Sequence, residues 1–146
     1  EIAIYIAGKK ADAFDFDELP ENTLIITADT IVWLNGESIG KPADAAEAVA
    51  MVHKLSGNTH IVSTGVCLKT ADKMKSFYVN TAVSFRKLTK KEISFYVEKY
   101  KPYDKAGAYG IQEWIGYVGV EHIEGSYTNV IGLPVQRVYL ELINLI

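Results

Sequence analysis

The sequence contains one cysteine, Cys67, so neither an intrachain disulfide nor a cysteine-built zinc site can form. No apolar run approaches the roughly 18 residues that a membrane-spanning helix needs. No basic-then-apolar leader of the secretory kind is present. Basic residues are also few: 15 Lys and Arg stand against 18 Asp and Glu, a formal net charge of −3. That balance argues against a broad surface for duplex nucleic acid. The three histidines, His53, His60 and His122, lack metal-ligand spacing, and repeats, low-complexity tracts and linkers are missing. These absences predict a cytoplasmic protein with neither membrane nor duplex nucleic acid as partner. They leave room for a small polyanion such as a nucleotide, provided that lysines, backbone N–H groups or a metal ion offset its charge locally.

What is present is ordinary for a soluble globular chain. Of 146 residues, 49% are hydrophobic and 23% charged, enough for one domain, residues 1–146, with its own core. The chain opens on Glu1, inside a helix-like run over 1–14 with no cap ahead of it, and a preceding segment is expected. An acidic loop with Pro20 follows. Thr23–Ala28 is β-branched and apolar, the pattern of a buried strand that ends at Asp29, and Ile31–Leu34 reads as a further strand segment. Asn35-Gly36 signals a tight turn. Ala48, Met51, Val52 and Leu55 fall on one face of a helix over 43–55. His60–Leu68 and Ser76–Arg86 form a hairpin; the second strand alternates strictly, with Phe77, Val79, Thr81, Val83 and Phe85 on one side. Thr89-Lys90-Lys91-Glu92 is a capping box that starts a helix. Residues 101–132 are glycine-rich without a long periodic pattern, which in a small domain points to function. Pro134 opens a last helix, whose predicted inner face is Val135, Val138, Tyr139 and Leu142. The order predicts an α/β fold with a mixed, largely antiparallel sheet flanked by helices.

Four segments carry useful chemistry. Asp29, in Ala28-Asp29-Thr30, is a carboxylate at a predicted strand end, where it could bind a divalent ion, take a proton from water, or simply cap the strand. Lys41, in Gly40-Lys41-Pro42, lies near a helix start and suits a phosphate, or plain solvation. The run from Asp104 to Gln112 concentrates a metal-type carboxylate, Lys105, glycines that allow close backbone approach, and an amide suited to a base edge. Glu124, Ser126 and Asn129 fit metal, water or phosphate as well as they fit helix capping. Cys67, with no activating partner, reads as packing.

Taken together, these segments resemble the Maf family of nucleotide pyrophosphatases. The resemblance rests on Ala28-Asp29-Thr30, Gly40-Lys41-Pro42, Leu55-Ser56-Gly57 with Thr59-His60, Ser63-Thr64-Gly65-Val66, Asp104 to Gln112, and Ile123 to Pro134. It covers nearly the whole chain, with the segments in family order. It implies a two-lobed, inosine-triphosphatase-like architecture with a central cleft. It also implies metal-dependent hydrolysis of a nucleoside triphosphate to the monophosphate and pyrophosphate. On this resemblance Asp29 is the base that activates water, and Asp29 and Asp104 are ligands of a divalent cation, Mg or Mn. Lys41 and Lys105 contact phosphate, while Thr30 and Gln112 select the base. Thr and Gln at those two places look like the dTTP/UTP branch, which extends to modified pyrimidine nucleotides. Two alternatives stay open: a non-catalytic nucleotide-binding regulator of cell division and septum formation, and a pyrophosphatase of noncanonical purine nucleotides. A homodimer is common among similar proteins, although no patch in the sequence demands one. The family's Ser-rich loop ending in Pro-Arg-Arg has no match in residues 1–22.

Overall fold

The computed structural model describes residues 2–146. In chain order the elements are α1 (Ile2–Asp12), β1 (Ile25–Leu34), β2 (Glu37–Ile39), α2 (Ala45–Leu55), β3 (Thr59–Lys69), β4 (Met74–Phe85), α3 (Lys90–Tyr100), α4 (Trp114–Gly119), β5 (Val120–Glu124), α5 (Tyr127–Ile131) and α6 (Val135–Leu145). Single 3₁₀ turns lie at Phe16–Glu18 and Ala106–Ala108. The strands form one sheet in the order β2-β1-β3-β4-β5, and every pairing is antiparallel.

Local signals explain most of this. Asn35 and Gly36 both take positive φ, 52° and 81°, which reverses the chain between β1 and β2. Asp44 caps α2 by accepting from the Glu47 N–H at 2.9 Å. Thr89 accepts from the Glu92 N–H at 3.1 Å and the Glu92 carboxylate accepts from the Thr89 N–H at 2.9 Å, completing the capping box. Arg86 then clamps Glu92 at 2.7 Å and, with the Thr89 N–H, pulls its carboxyl down to about 2.

One face of the sheet is covered by two separate groups of helices. Val32, Val62, Val83 and Phe85 pack under Ala48, Val52 and Leu55 of α2 and Ile93, Tyr96 and Val97 of α3. Further along the same strands Val66, Leu68 and Phe77 pack under Val138 of α6. The opposite face receives α1, which buries Ala3, Ala7 and Ala11 over Gly65 and Cys67. Gly65 is required there, because a Cβ at this position would run into the Ala3 backbone. A helix of small residues on a strand glycine brings α1 unusually near the sheet, and that places Lys10 beside β1.

Three expectations need correction. Asp29 does not end a buried strand: β1 runs on unbroken through Asp29 and Thr30 to Leu34, and it is mostly half-buried. The polar pair interrupts the apolar pattern but not the ladder, since Asp29 pairs with Gly65 and Thr30 with Thr64. The stretch 101–132 is not irregular throughout; it holds α4, β5 and α5, and β5 completes the sheet against β4. The inner face of α6 is centred on Val138, with Leu142 and Leu145 packed beside it. Val135 and Tyr139 instead face outward, 51% and 64% exposed.

Candidate active site

Between the two helix groups the sheet is left uncovered, and a cleft of about 270 Å³ opens there. Its floor is Ala28, Thr30 and Val32 of β1 with Val62 of β3. The loop from Asp104 to Gln112 forms one wall, Val130 and Ile131 of α5 the other, and Lys41 lies at the rim. The six residues to which the resemblance gives roles, Asp29, Thr30, Lys41, Asp104, Lys105 and Gln112, line a single cavity although they span 84 positions, whereas Glu124, Ser126 and Asn129 do not line it. The size suits a small molecule.

Asp29 sits on the part of β1 that β2 does not reach, because β2 pairs only with Val32–Leu34. Neighbouring side chains alternate across the strand, so Asp29 leans toward α1 while Thr30 faces the helix groups. There the Lys10 ammonium donates to the Ala28 carbonyl at 3.0 Å and to Asp29 Oδ1 at 3.3 Å. Lys10 was not singled out from the sequence. An exposed helix lysine has no signature of its own, and only the close seat of α1 over Gly65 carries it to the cleft. The pair is partly solvated, with side chains 50% and 21% exposed, so its contribution to stability is small.

Thr30 is engaged in a polar chain. Its hydroxyl shares a hydrogen bond with Thr64 at 2.9 Å, and the Thr64 hydroxyl reaches the Asn129 carbonyl at 3.2 Å. Asn129 is fully buried, and its amide nitrogen meets the carbonyls of Val62 and Val79 and the Thr81 hydroxyl at 2.8–3.2 Å. Asn129 thus ties α5 to β3 and β4. Ser126 caps α5 through the Asn129 N–H at 3.1 Å, and Glu124 is exposed. For this segment the capping role is the one seen.

The Asp104–Gln112 loop is anchored at several points. The Gly107 N–H donates to the Gly40 carbonyl at 3.1 Å, joining the two phosphate-type segments. Gly107 has φ 73°, and a Cβ there would stand 3.3 Å from Val32 Cγ2, a position for which glycine is suited. Lys105 Nζ lies 3.3 Å from Asp104 Oδ1, and this contact, with a smaller contribution from Lys41, holds the Asp104 carboxyl below its ordinary range. Two lysines and a carboxylate thus share one end of the cleft. The Tyr109 hydroxyl meets His60 Nε2 at 2.6 Å in a buried aromatic group with Phe85. Burial pushes His60 down to about 4, so the ring is neutral, and pushes the Tyr109 phenol up. His60 packs beneath the loop.

The donor chemistry suits a divalent cation. Asp29 and Asp104 offer hard oxygens at one cleft, and a Mg-type ion characteristically takes one or two carboxylates together with water and substrate phosphates. Among the described residues no group of three or more His, Cys, Asp or Glu gathers into a ready-made cage.

Fold and cleft together define an α/β protein with a small-molecule cleft lined by carboxylates, lysines and a glycine-rich loop. The family described as Maf-like protein matches residues 1–145, and the chain belongs to that family. A dTTP/UTP pyrophosphatase of Parabacteroides distasonis is 57% identical over 142 residues, 97% of this chain and 73% of the relative. Proteins of the same name from Flavobacterium psychrophilum and Phocaeicola vulgatus are 54% and 56% identical, with 99% and 97% of this chain and 73% of each relative covered. No helix among the described residues is long and apolar enough to cross a membrane.

Proposed function

We propose that this chain hydrolyses dTTP and UTP to the nucleoside monophosphate and pyrophosphate. The observation that carries the reading is the convergence of Asp29, Lys41, Asp104, Lys105 and Gln112 on one cleft. The names of relatives more than 50% identical over nearly the whole chain agree with it.

In this reading Asp29 is the base. Its carboxylate takes a proton from water as the water oxygen attacks the α-phosphorus. The bond from that phosphorus to the bridging oxygen breaks, and pyrophosphate leaves with the electron pair. Lys10 holds the Asp29 carboxylate against β1. Lys41 and Lys105 offset the charge that builds on the leaving group, the main task in displacements at phosphorus. Asp29 and Asp104 would hold a Mg or Mn ion, which supplies further neutralisation of phosphate charge and orients its oxygens. Thr30 on the floor and Gln112 on the wall face the base. Gln112 offers a donor and an acceptor, the complement of a uracil or thymine edge. Nucleoside triphosphates are held inside cells, so the reading places the enzyme in the cytoplasm.

The test is a panel of nucleotides with Mg or Mn and separate detection of pyrophosphate and orthophosphate. Pyrophosphate from dTTP and UTP, abolished by chelator and restored by either metal, is the expected result. Faster turnover of inosine or xanthosine triphosphate would instead make it a purine-cleansing enzyme. Tight binding without products would make it a nucleotide-dependent regulator.

A further inference from the structure

Gln112 is held on a turn that is closed by the Glu113 N–H donating to the Gly110 carbonyl at 3.0 Å. Beneath this turn lies Tyr96 of α3, whose side chain is fully buried. Its hydroxyl accepts from the Gly110 N–H at 3.0 Å and donates to Glu113 Oε1 at 2.5 Å. One hydroxyl therefore grips both ends of the turn that presents Gln112. Burial and the Glu113 carboxylate both push the Tyr96 phenol up, so it stays a donor throughout the working range. Gly110 is also where Lys105 passes: a Cβ there would stand 2.9 Å from both Lys105 Cε and Glu113 Oε1.

Base chemistry gives this grip a purpose. A glutamine amide meets the O4 and N3–H of uracil with its N–H₂ and carbonyl. Turned over, the same amide meets the N3 and N4–H₂ of cytosine equally well. The side chain alone therefore cannot separate the two bases. A turn clamped at both ends fixes the direction in which the Gln112 side chain leaves the backbone, and so favours one of the two senses of its amide.

We propose that Tyr96 is a positioning residue for base selection, acting with Glu113 through the Gly110–Glu113 turn to fix the polarity that the site offers to a pyrimidine. This rests on the reading of the cleft as a dTTP/UTP site.

The test compares kcat/KM for UTP and CTP in the wild type, Tyr96→Phe, Glu113→Ala and Glu113→Gln. Tyr96→Phe keeps the ring and removes both hydrogen bonds. The expected result is a UTP-over-CTP preference reduced by about tenfold, the effect of one lost hydrogen bond of ordinary strength. The loss should fall mainly in KM. Glu113→Ala, on a half-exposed side chain, should reproduce it, and Glu113→Gln, which still accepts from the tyrosine, should restore it. In a Gln112→Ala background Tyr96→Phe should change the preference little. Lowered melting temperature with an unchanged preference in Tyr96→Phe and Glu113→Ala would overturn the proposal. If the wild type binds but does not turn over nucleotide, the hydrolytic reading fails. The inference is then read from the ratio of dissociation constants for UTP and CTP, with the same two outcomes. A wild type that binds neither overturns both.

Discussion

The two sides of the cleft are held in place by different means. Asp29 is positioned by the sheet: its place follows from the β1–β3 register, and its side-chain partner, Lys10, is half-exposed and weakly paired. Gln112 and Lys105 are positioned by a loop, and the loop is tied down by buried hydrogen bonds, from the Gly110 N–H to Tyr96 and between the Tyr109 hydroxyl and His60. On the strand side the polar group can be changed without touching the scaffold. On the loop side the supports are buried, so changes there cost stability before they reach the ligand.

The largest expected effect lies on the strand side. Asp29→Asn preserves shape and removes the base, so kcat should fall by about 10³-fold, or roughly 4 kcal/mol. Its melting temperature should stay close to that of the wild type; thermal denaturation beside steady-state kinetics checks both.

Next comes the loop side under acid. His60 is depressed from 6.5 to about 4 by burial, so the unfolded chain binds its proton more readily than the folded one. The stability tied to neutral His60 is complete above about pH 6.5 and is lost as pH falls toward 4, up to roughly 3 kcal/mol. Urea unfolding at pH 7 and pH 4 should show this loss, and His60→Gln should remove most of the difference. A wild type equally stable at both values would mean that the ring titrates normally.

Gly65→Ala tests the seat of α1. The added methyl meets the Ala3 backbone, so the helix must move, at a cost of about 1–3 kcal/mol for overpacking. Activity should fall with stability, since Lys10 travels with the helix. Lys10→Met is milder: kcat should drop by about tenfold, with melting unchanged, because the Lys10–Asp29 pair is half-exposed. Equal activity in Lys10→Met would show that the strand alone suffices to orient Asp29.

Much of the fold was legible in the sequence because local chemistry and tertiary structure agree. The Thr89–Glu92 capping box, the Asn35-Gly36 turn and the period-two pattern of β4 all appear where expected. The continuity of β1 was hidden because Asp29 and Thr30 are polar on both faces, and each finds a partner, Lys10 or Thr64, that only the fold supplies. In β5, Val-Glu-His-Ile-Glu is too mixed to show a strand period, and only pairing with β4 makes it one. The inner face of α6 differs from the expected one by part of a turn, because apolar residues surround Val138 on both flanks. Of the site, chemically distinctive residues were visible, whereas Lys10 and Tyr96 were not. A lysine on a helix and a tyrosine at core spacing look the same whether or not they serve a ligand.

The central claim is that water activated at Asp29 attacks the α-phosphorus. Hydrolysis of UTP in ¹⁸O-labelled water, followed by mass spectrometry of both products, tests it most directly. The label is expected in the nucleoside monophosphate and not in pyrophosphate, with Asp29→Asn removing the labelled product. Label in pyrophosphate, or release of orthophosphate in place of pyrophosphate, would contradict it.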